Sequence, residues 1–215
     1  MDSRRIPLAL VVYAVVALVA VVWGVVRGSP DLYHHPAPWV TLAFPAGTVL
    51  ALLSGLAVAA AAIASTRVLV RRTRWARALH NEFRDLLGPL SPSEITVFAL
   101  SSGIAEEMLF RGALQPAVGL IASALIFGAV HMGPVRRFWA WTLWAAVMGL
   151  VFGLLYEITG ELLAPVVAHA LINYENLHYI DAYDPNRADA DPDSTGRTPA
   201  APRLVETPEA RAGRR

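Results

Sequence analysis

Six polar side chains interrupt the apolar runs of this 215-residue sequence, and together their types suit the activation of water: Glu106, Glu107, Arg111, His131, His169 and Asn173. An ionisable group at the centre of a membrane span costs roughly 2.5 to 3.5 kcal/mol on insertion scales, so such residues are functional candidates by default. Glu107 and Arg111 stand four apart with the acid first, the favourable order for a helical ion pair, and they are read as a structural pair. Neighbouring helix residues project about 100° apart, so Glu106 faces elsewhere and lacks a local counter-charge. Burial penalises its charged form, the condition that tunes a carboxylate for general-base work. His169 and Asn173 share one helix face, and so do Phe127 and His131. An acid, two imidazoles and an amide are the parts needed to activate water and hold an oxyanion. His34, His35, His80 and His178 are read as structural, and Glu157 and Glu161 as facing water beside Gly160.

Two versions of this chemistry fit the residues. In one, Glu106, His131 and His169 ligate zinc as a His₂Glu set with water in the open position. In the other, Glu106 is the base, the histidines orient water or protonate the leaving amine, and Asn173 donates to the oxyanion. The metal-free version is preferred because Glu107, spent on Arg111, leaves the zinc version no second base. Other chemistries lack their residues. The chain has no cysteine, no aspartate between Asp85 and Asp181, no Gly-x-Ser-Gly nucleophile turn and no His-Glu-x-x-His pair.

The elements that must position these groups are transmembrane helices. The sequence is 55% hydrophobic and 16% charged, against about a quarter charged in a soluble domain, and its mean hydropathy is +0.47. A formal charge of +1 gives no electrostatic case for nucleic acid. Apolar runs predict spans over Ile6–Val26, Val40–Ser65, Ile95–Leu114, Gly119–His131, Phe138–Ile158 and Leu162–Ile180, each set against the ~20 residues needed to cross a ~30 Å core. Trp75–Leu87 alternates apolar and charged residues as an interfacial helix does. Ser91, Pro92 and Glu94 predict an N-cap, a first-turn proline and a capping box.

The expected fold is therefore an all-α polytopic bundle of about six transmembrane helices plus one interfacial helix. It comprises a membrane domain over 1–180, with a catalytic core at 92–180, and a disordered tail over 181–215. The arginines of the N-terminus, of Arg67–Arg84, of the Arg136–Arg137 turn and of the tail fall on one side, which by the positive-inside rule makes both termini cytoplasmic. At ~1.5 Å per residue, Glu106 and His169 reach matching depths from opposite sides. A straight hairpin would leave His131 more than a turn nearer the cytoplasm, so Gly112, Pro116 and Gly119 are expected to mark a non-helical or re-entrant connection.

Glu106-Glu107-x-x-x-Arg111, Phe127-x-x-x-His131 and His169-x-x-x-Asn173 resemble the three motifs of the CPBP family, which comprises CAAX-type prenyl endopeptidases, Abi proteins and bacteriocin self-immunity relatives. The similarity covers roughly Pro92 to Tyr179 and includes the Phe110-Arg111-Gly112 continuation of the first motif. It implies a glutamate- and histidine-dependent intramembrane endopeptidase, and because the chain itself reads as bacterial in style the expected location is a bacterial inner membrane. Glu106, His131, His169 and Asn173 match its catalytic positions, and Glu107 and Arg111 its supporting pair. The family is often described as metalloproteases. The partners implied are the lipid bilayer and a membrane-associated protein or peptide substrate. A non-catalytic membrane scaffold or immunity-type protein is the rival reading, and a small transporter is disfavoured by the missing repeat.

Overall fold

A computed structural model describes residues 4–133 and 138–186. All regular structure among them is helical: α1 (Arg5–Val26), α2 (Ala46–Arg72), α3 (Arg74–Leu87), α4 (Pro92–Glu107), a π-helical segment (Met108–Leu114), α5 (Gln115–Val118), α6 (Leu120–Val130), α7 (Trp139–Thr159) and α8 (Leu163–Ala182). The chain divides into two units, Met1–Tyr183 and Asp184–Arg215. Of the second, only Asp184–Asn186 fall among the described residues, with Asn186 N donating to Asp184 Oδ1 at 3.0 Å. α8 runs two residues into the stretch assigned to the tail; residues 187–215, and the Arg136–Arg137 turn, lie outside the described residues.

By length and composition three helices can cross a membrane: α1, α2 and α7. This makes the chain an integral membrane protein, with fewer self-evident spans than the six expected. The shortfall has physical causes. At ~1.5 Å per residue the 11 residues of α6 cover only about half of a ~30 Å core. The expected third span is divided between α4 and the π segment, and the polar residues of α8, among them His169, Asn173 and Glu175, lower its hydropathy.

The interior is built on small residues. Ala51, Ala59 and Ala62 of α2 pack with Met148, Phe152 and Leu155 of α7 and with Ala164, Ala168 and Ile172 of α8. α4 meets α8 at Gly103, where an added Cβ would come 2.9 Å from the backbone nitrogen of Ala170. That closeness brings the acidic end of α4 against His169.

α2 starts at Ala46 rather than near Val40, because the preceding backbone is engaged elsewhere: Trp39 N donates to Glu157 O at 2.7 Å and Val40 N to Ile158 O at 3.1 Å. α2 then continues to Arg72, past the expected end at Ser65, with Arg67 bonded to Asn176 Oδ1 and Glu175 O. α4 begins with the expected capping box, Ser91 N donating to Glu94 Oε2 at 2.8 Å and Glu94 N to Ser91 Oγ at 3.3 Å.

The helix ends gather in two groups. Arg5 bonds to Leu87 O, and Arg84 to Ile180 O, which joins the start of α1 to the ends of α3 and α8. At the opposite end, His35 N and Leu162 N bond Gly160 O and Tyr33 O, and Tyr156 OH donates to Leu32 O. Glu157 and Glu161 belong to this second group. They are half-buried and accept from Gln115 and from Thr48 and Tyr33, rather than simply facing water.

Candidate active site

Glu106 and Glu107 close α4 just before the π segment. In a π turn the N–H reaches i→i+5, and such turns occur often at functional sites. The segment is fastened by Ser123 Oγ, which donates to Phe110 O at 3.0 Å. It passes into α5, so the chain stays helical to Val118 and reverses at Gly119, whose φ of +84° and ψ of 164° suit glycine alone. This relocates the turn expected between Leu114 and Gly119. The outward run from Glu106 to Val118 and the return from Leu120 to His131 are thereby nearly equal in length. His131 arrives opposite Glu106 instead of a turn beyond it.

Glu106 is therefore not without a partner, as the sequence suggested. Its Oε2 lies 3.5 Å from His131 Nε2. That is an ion-pair distance and not a formed hydrogen bond, and Glu106 Oε2 is buried with no hydrogen-bond partner. His131 Nδ1 is 2.7 Å from Phe127 O. A carbonyl only accepts, so Nδ1 carries a proton and Nε2 is the nitrogen presented to Glu106.

Glu107 makes a second correction. Its Oε1 accepts from Arg111 Nη1 at 2.8 Å, and it also lies 2.6 Å from His169 Nδ1. The carboxylate assigned to a purely structural pair thus holds one of the candidate catalytic imidazoles, leaving His169 Nε2 as its outward nitrogen. Arg111 donates its other arm to Gly149 O at 3.1 Å and lies over the Phe127 ring at 4.4 Å. Phe152 stacks on His169 with centroids 5.2 Å apart.

Asn173, one turn beyond His169, donates Nδ2 to Ser102 Oγ at 2.9 Å. Sequence reading passed over Ser102, although it stands four residues before Glu106 on α4. The signal was the i, i+4 spacing.

His131, His169, Asn173 and Ser102 line one cavity of about 600 Å³, which extends past α3 toward Arg5. Its walls are otherwise largely apolar, with Trp144 and Phe152 from α7 and Phe83 from α3. Among the described residues no three His, Cys, Asp or Glu side chains converge closely enough to hold a metal ion. His131 and His169 each turn Nδ1 to an acceptor, Phe127 O and Glu107 Oε1, and leave Nε2 as the nitrogen open to water or a metal.

Residues 89–174 match the family model for type II CAAX prenyl endopeptidase Rce1-like proteins, a protease family, in agreement with the CPBP resemblance. YpbD, an uncharacterized protein of Bacillus subtilis (strain 168), is 43% identical over 90 residues, 42% of this chain and 47% of that protein. The chain thus spans about half the length of the curated relative it matches. No solved structure matches it.

Proposed function

From the Rce1-like character of residues 89–174, we propose that this chain is an intramembrane endopeptidase in which Glu106 activates water against a peptide bond of a membrane-associated protein. The observation that carries the reading is the buried, unsatisfied Oε2 of Glu106, 3.5 Å from Nε2 of His131, whose side chain lines the cavity. A water at the apex of that gap can donate one proton to the carboxylate and the other to the imidazole. Glu106 takes the first proton as the water oxygen bonds to the scissile carbonyl carbon. When the carbon–nitrogen bond breaks, that proton goes to the leaving amine, with His131 as the adjacent carrier.

Asn173 has a second Nδ2–H beyond the one given to Ser102, and this N–H is the donor for the developing oxyanion. His169, fixed through Nδ1 by Glu107 and stacked on Phe152, presents Nε2 to the same centre. Arg111 cancels the charge of Glu107, so the cluster carries one net negative charge, that of Glu106. That balance makes so dense a cluster tolerable at depth.

The decisive experiment uses the purified chain in lipid nanodiscs and a library of quenched peptides, with and without an S-farnesyl cysteine near the C-terminus. Wild type is expected to cleave members of the library and Glu106→Gln none. Cleavage that survives Glu106→Gln would remove the reading and favour an adventitious protease or the scaffold alternative.

The topology proposed with this function has six membrane-embedded helical passes, α6 crossing only partly, with both termini cytoplasmic in a bacterial inner membrane. It is supported by the two gathered groups of helix ends, since Arg5, Arg67 and Arg84 lie together and away from the Leu32–Val40 loop. A periplasm-active reporter fused after Ser29 should be active and after Arg74 silent; the opposite pattern reverses the orientation.

A further inference from the structure

Gln115 is buried and stands four residues beyond Arg111, as Arg111 stands four beyond Glu107; on α7, Gly149, Gly153 and Glu157 keep the same spacing. The two rows meet in step. Arg111 Nη2 donates to Gly149 O at 3.1 Å, and Gln115 Nε2 donates to Gly153 O at 3.1 Å and to Glu157 Oε1 at 3.3 Å. A carbonyl has two lone pairs, so each glycine can accept a side chain besides its own helical bond. Gly153 leaves the room this needs, since a Cβ there would stand 2.6 Å from Gln115 Oε1. The amide nitrogen has two hydrogens for its two acceptors, while Oε1 is buried without a hydrogen-bond partner. The reverse orientation would set that oxygen against a carbonyl and a carboxylate.

The backbone needs a fastening at this point. Gln115 follows directly on the π segment, and a chain that closed that segment into uniform α-helix would turn every later position by about 100°. Pro116 brings no N–H and disfavours helical backbone at the residue before it, yet Gln115 is helical, at φ −57° and ψ −43°. We propose that Gln115 is a positioning residue: hooked onto α7, it holds the π segment in the register that lets Arg111 reach Gly149 O and Glu107 together. Glu107 is thereby kept on His169 Nδ1, at 2.6 Å. A group held in advance need not be aligned during the reaction. The effect on catalysis rests on the endopeptidase reading, but the register does not.

Gln115 is the single glutamine of the sequence, so ¹⁵N-Gln labelling in nanodiscs gives one side-chain amide pair that needs no assignment. Its two signals are expected to be well separated and slow to exchange, and Glu157→Leu to move and speed one of them more than the other. A freely exchanging pair overturns the hook. The sequence has six histidines, so ¹⁵N-His ring signals can be assigned through His169→Ala. Gln115→Leu, which removes the amide at similar volume, should shift the His169 ring while leaving His80 and His178 in place. An unmoved His169, or an equal shift at every histidine, overturns the positioning role whether or not any peptide is cleaved.

The second arm measures kcat and KM on the quenched peptide that wild type cleaves fastest. Gln115→Leu should lower kcat about five- to tenfold, the worth of roughly one hydrogen bond, with KM unchanged. A raised KM with kcat unchanged would place Gln115 in substrate binding and overturn the proposal. Wild type that cleaves nothing while Gln115→Leu still moves the His169 ring would sink the endopeptidase reading and leave the register standing.

Discussion

Glu106 and Glu107 are neighbours in sequence with identical side chains, and the fold treats them oppositely. The Glu107 carboxylate is fully enclosed, clamped between Arg111 at 2.8 Å and His169 at 2.6 Å. Glu106 retains 15% of its side-chain exposure, and its partner His131, at 3.5 Å, retains 20%. Both acids leave Oε2 without a hydrogen-bond partner; Glu107 puts its Oε1 against two partners in a sealed cluster, whereas Glu106 makes one looser contact with a partly exposed imidazole. The 100° step between adjacent helix positions is enough to separate a fixed frame from a reactive group. The surface supplies a third acid–imidazole pair for calibration, Asp31 with His34 at 2.9 Å, where both side chains are more than half exposed.

The sharpest way to break this contrast is to neutralise each acid in turn. Glu106→Gln should lower kcat by about 10²- to 10⁴-fold, the range for a general base, while thermal unfolding in nanodiscs stays close to wild type. A comparable loss of stability would show that Glu106 is as structural as its neighbour.

Glu107→Ala should destabilise by about 3 to 5 kcal/mol, because it strands a buried guanidinium and frees His169. Glu107→Ala combined with Arg111→Ala should be milder in denaturant or heat, yet it should not restore activity, since His169 still lacks its anchor. Equal stability of single and double variants would mean that the arginine is not the partner that matters.

Gly119→Ala tests the register that delivers His131 to Glu106. No atom lies within 4 Å of the added Cβ, so the cost is backbone strain alone, about 1 to 3 kcal/mol. Activity should fall by more than stability does, as His131 shifts along Glu106. A variant with full kcat would show that the connection tolerates another geometry.

The smallest effect is expected at the surface pair. Slight desolvation pushes Asp31 upward, but hydrogen bonds from the His34 ring and from the His34 and Tyr33 amides outweigh it and hold the carboxyl below its ordinary value. The folded-state value is thus depressed. Its contribution to stability is present above the unfolded value and is lost as pH falls through the folded one. Exposed pairs of this kind are screened, so Asp31→Asn should move stability by less than about 0.5 kcal/mol and leave kcat unchanged. A large loss would mean that the outer loop belongs to the frame.

Much of this arrangement was legible from residue types and spacing. The helices around the site, the capping box at Ser91 and the i, i+4 pairs Glu107–Arg111 and His169–Asn173 follow from local rules. The pairing across helices did not follow. Which acid meets which histidine depends on where the chain reverses, and the π segment with α5 moved that reversal to Gly119. Helical periodicity assumes a uniform turn and has no term for one extra residue per turn. The start of α2 was missed for a related reason, since Trp39 and Val40 bond to the end of α7, a partner more than a hundred residues away. Ser102 was passed over because a hydroxyl in an apolar helix carries little signal until its neighbour, here Asn173, is known.

The chamber has one further consequence. Much of its wall comes from α1, α2 and α3, all of which lie before residue 89, whereas the reactive groups come from the stretch that follows. On the endopeptidase reading, the groups proposed for the reaction and much of the wall that would meet a substrate thus lie on different parts of the chain. A chimera that kept residues 89–186 and exchanged 1–88 for the corresponding helices of a relative would, on that reading, inherit the old reaction with a different appetite.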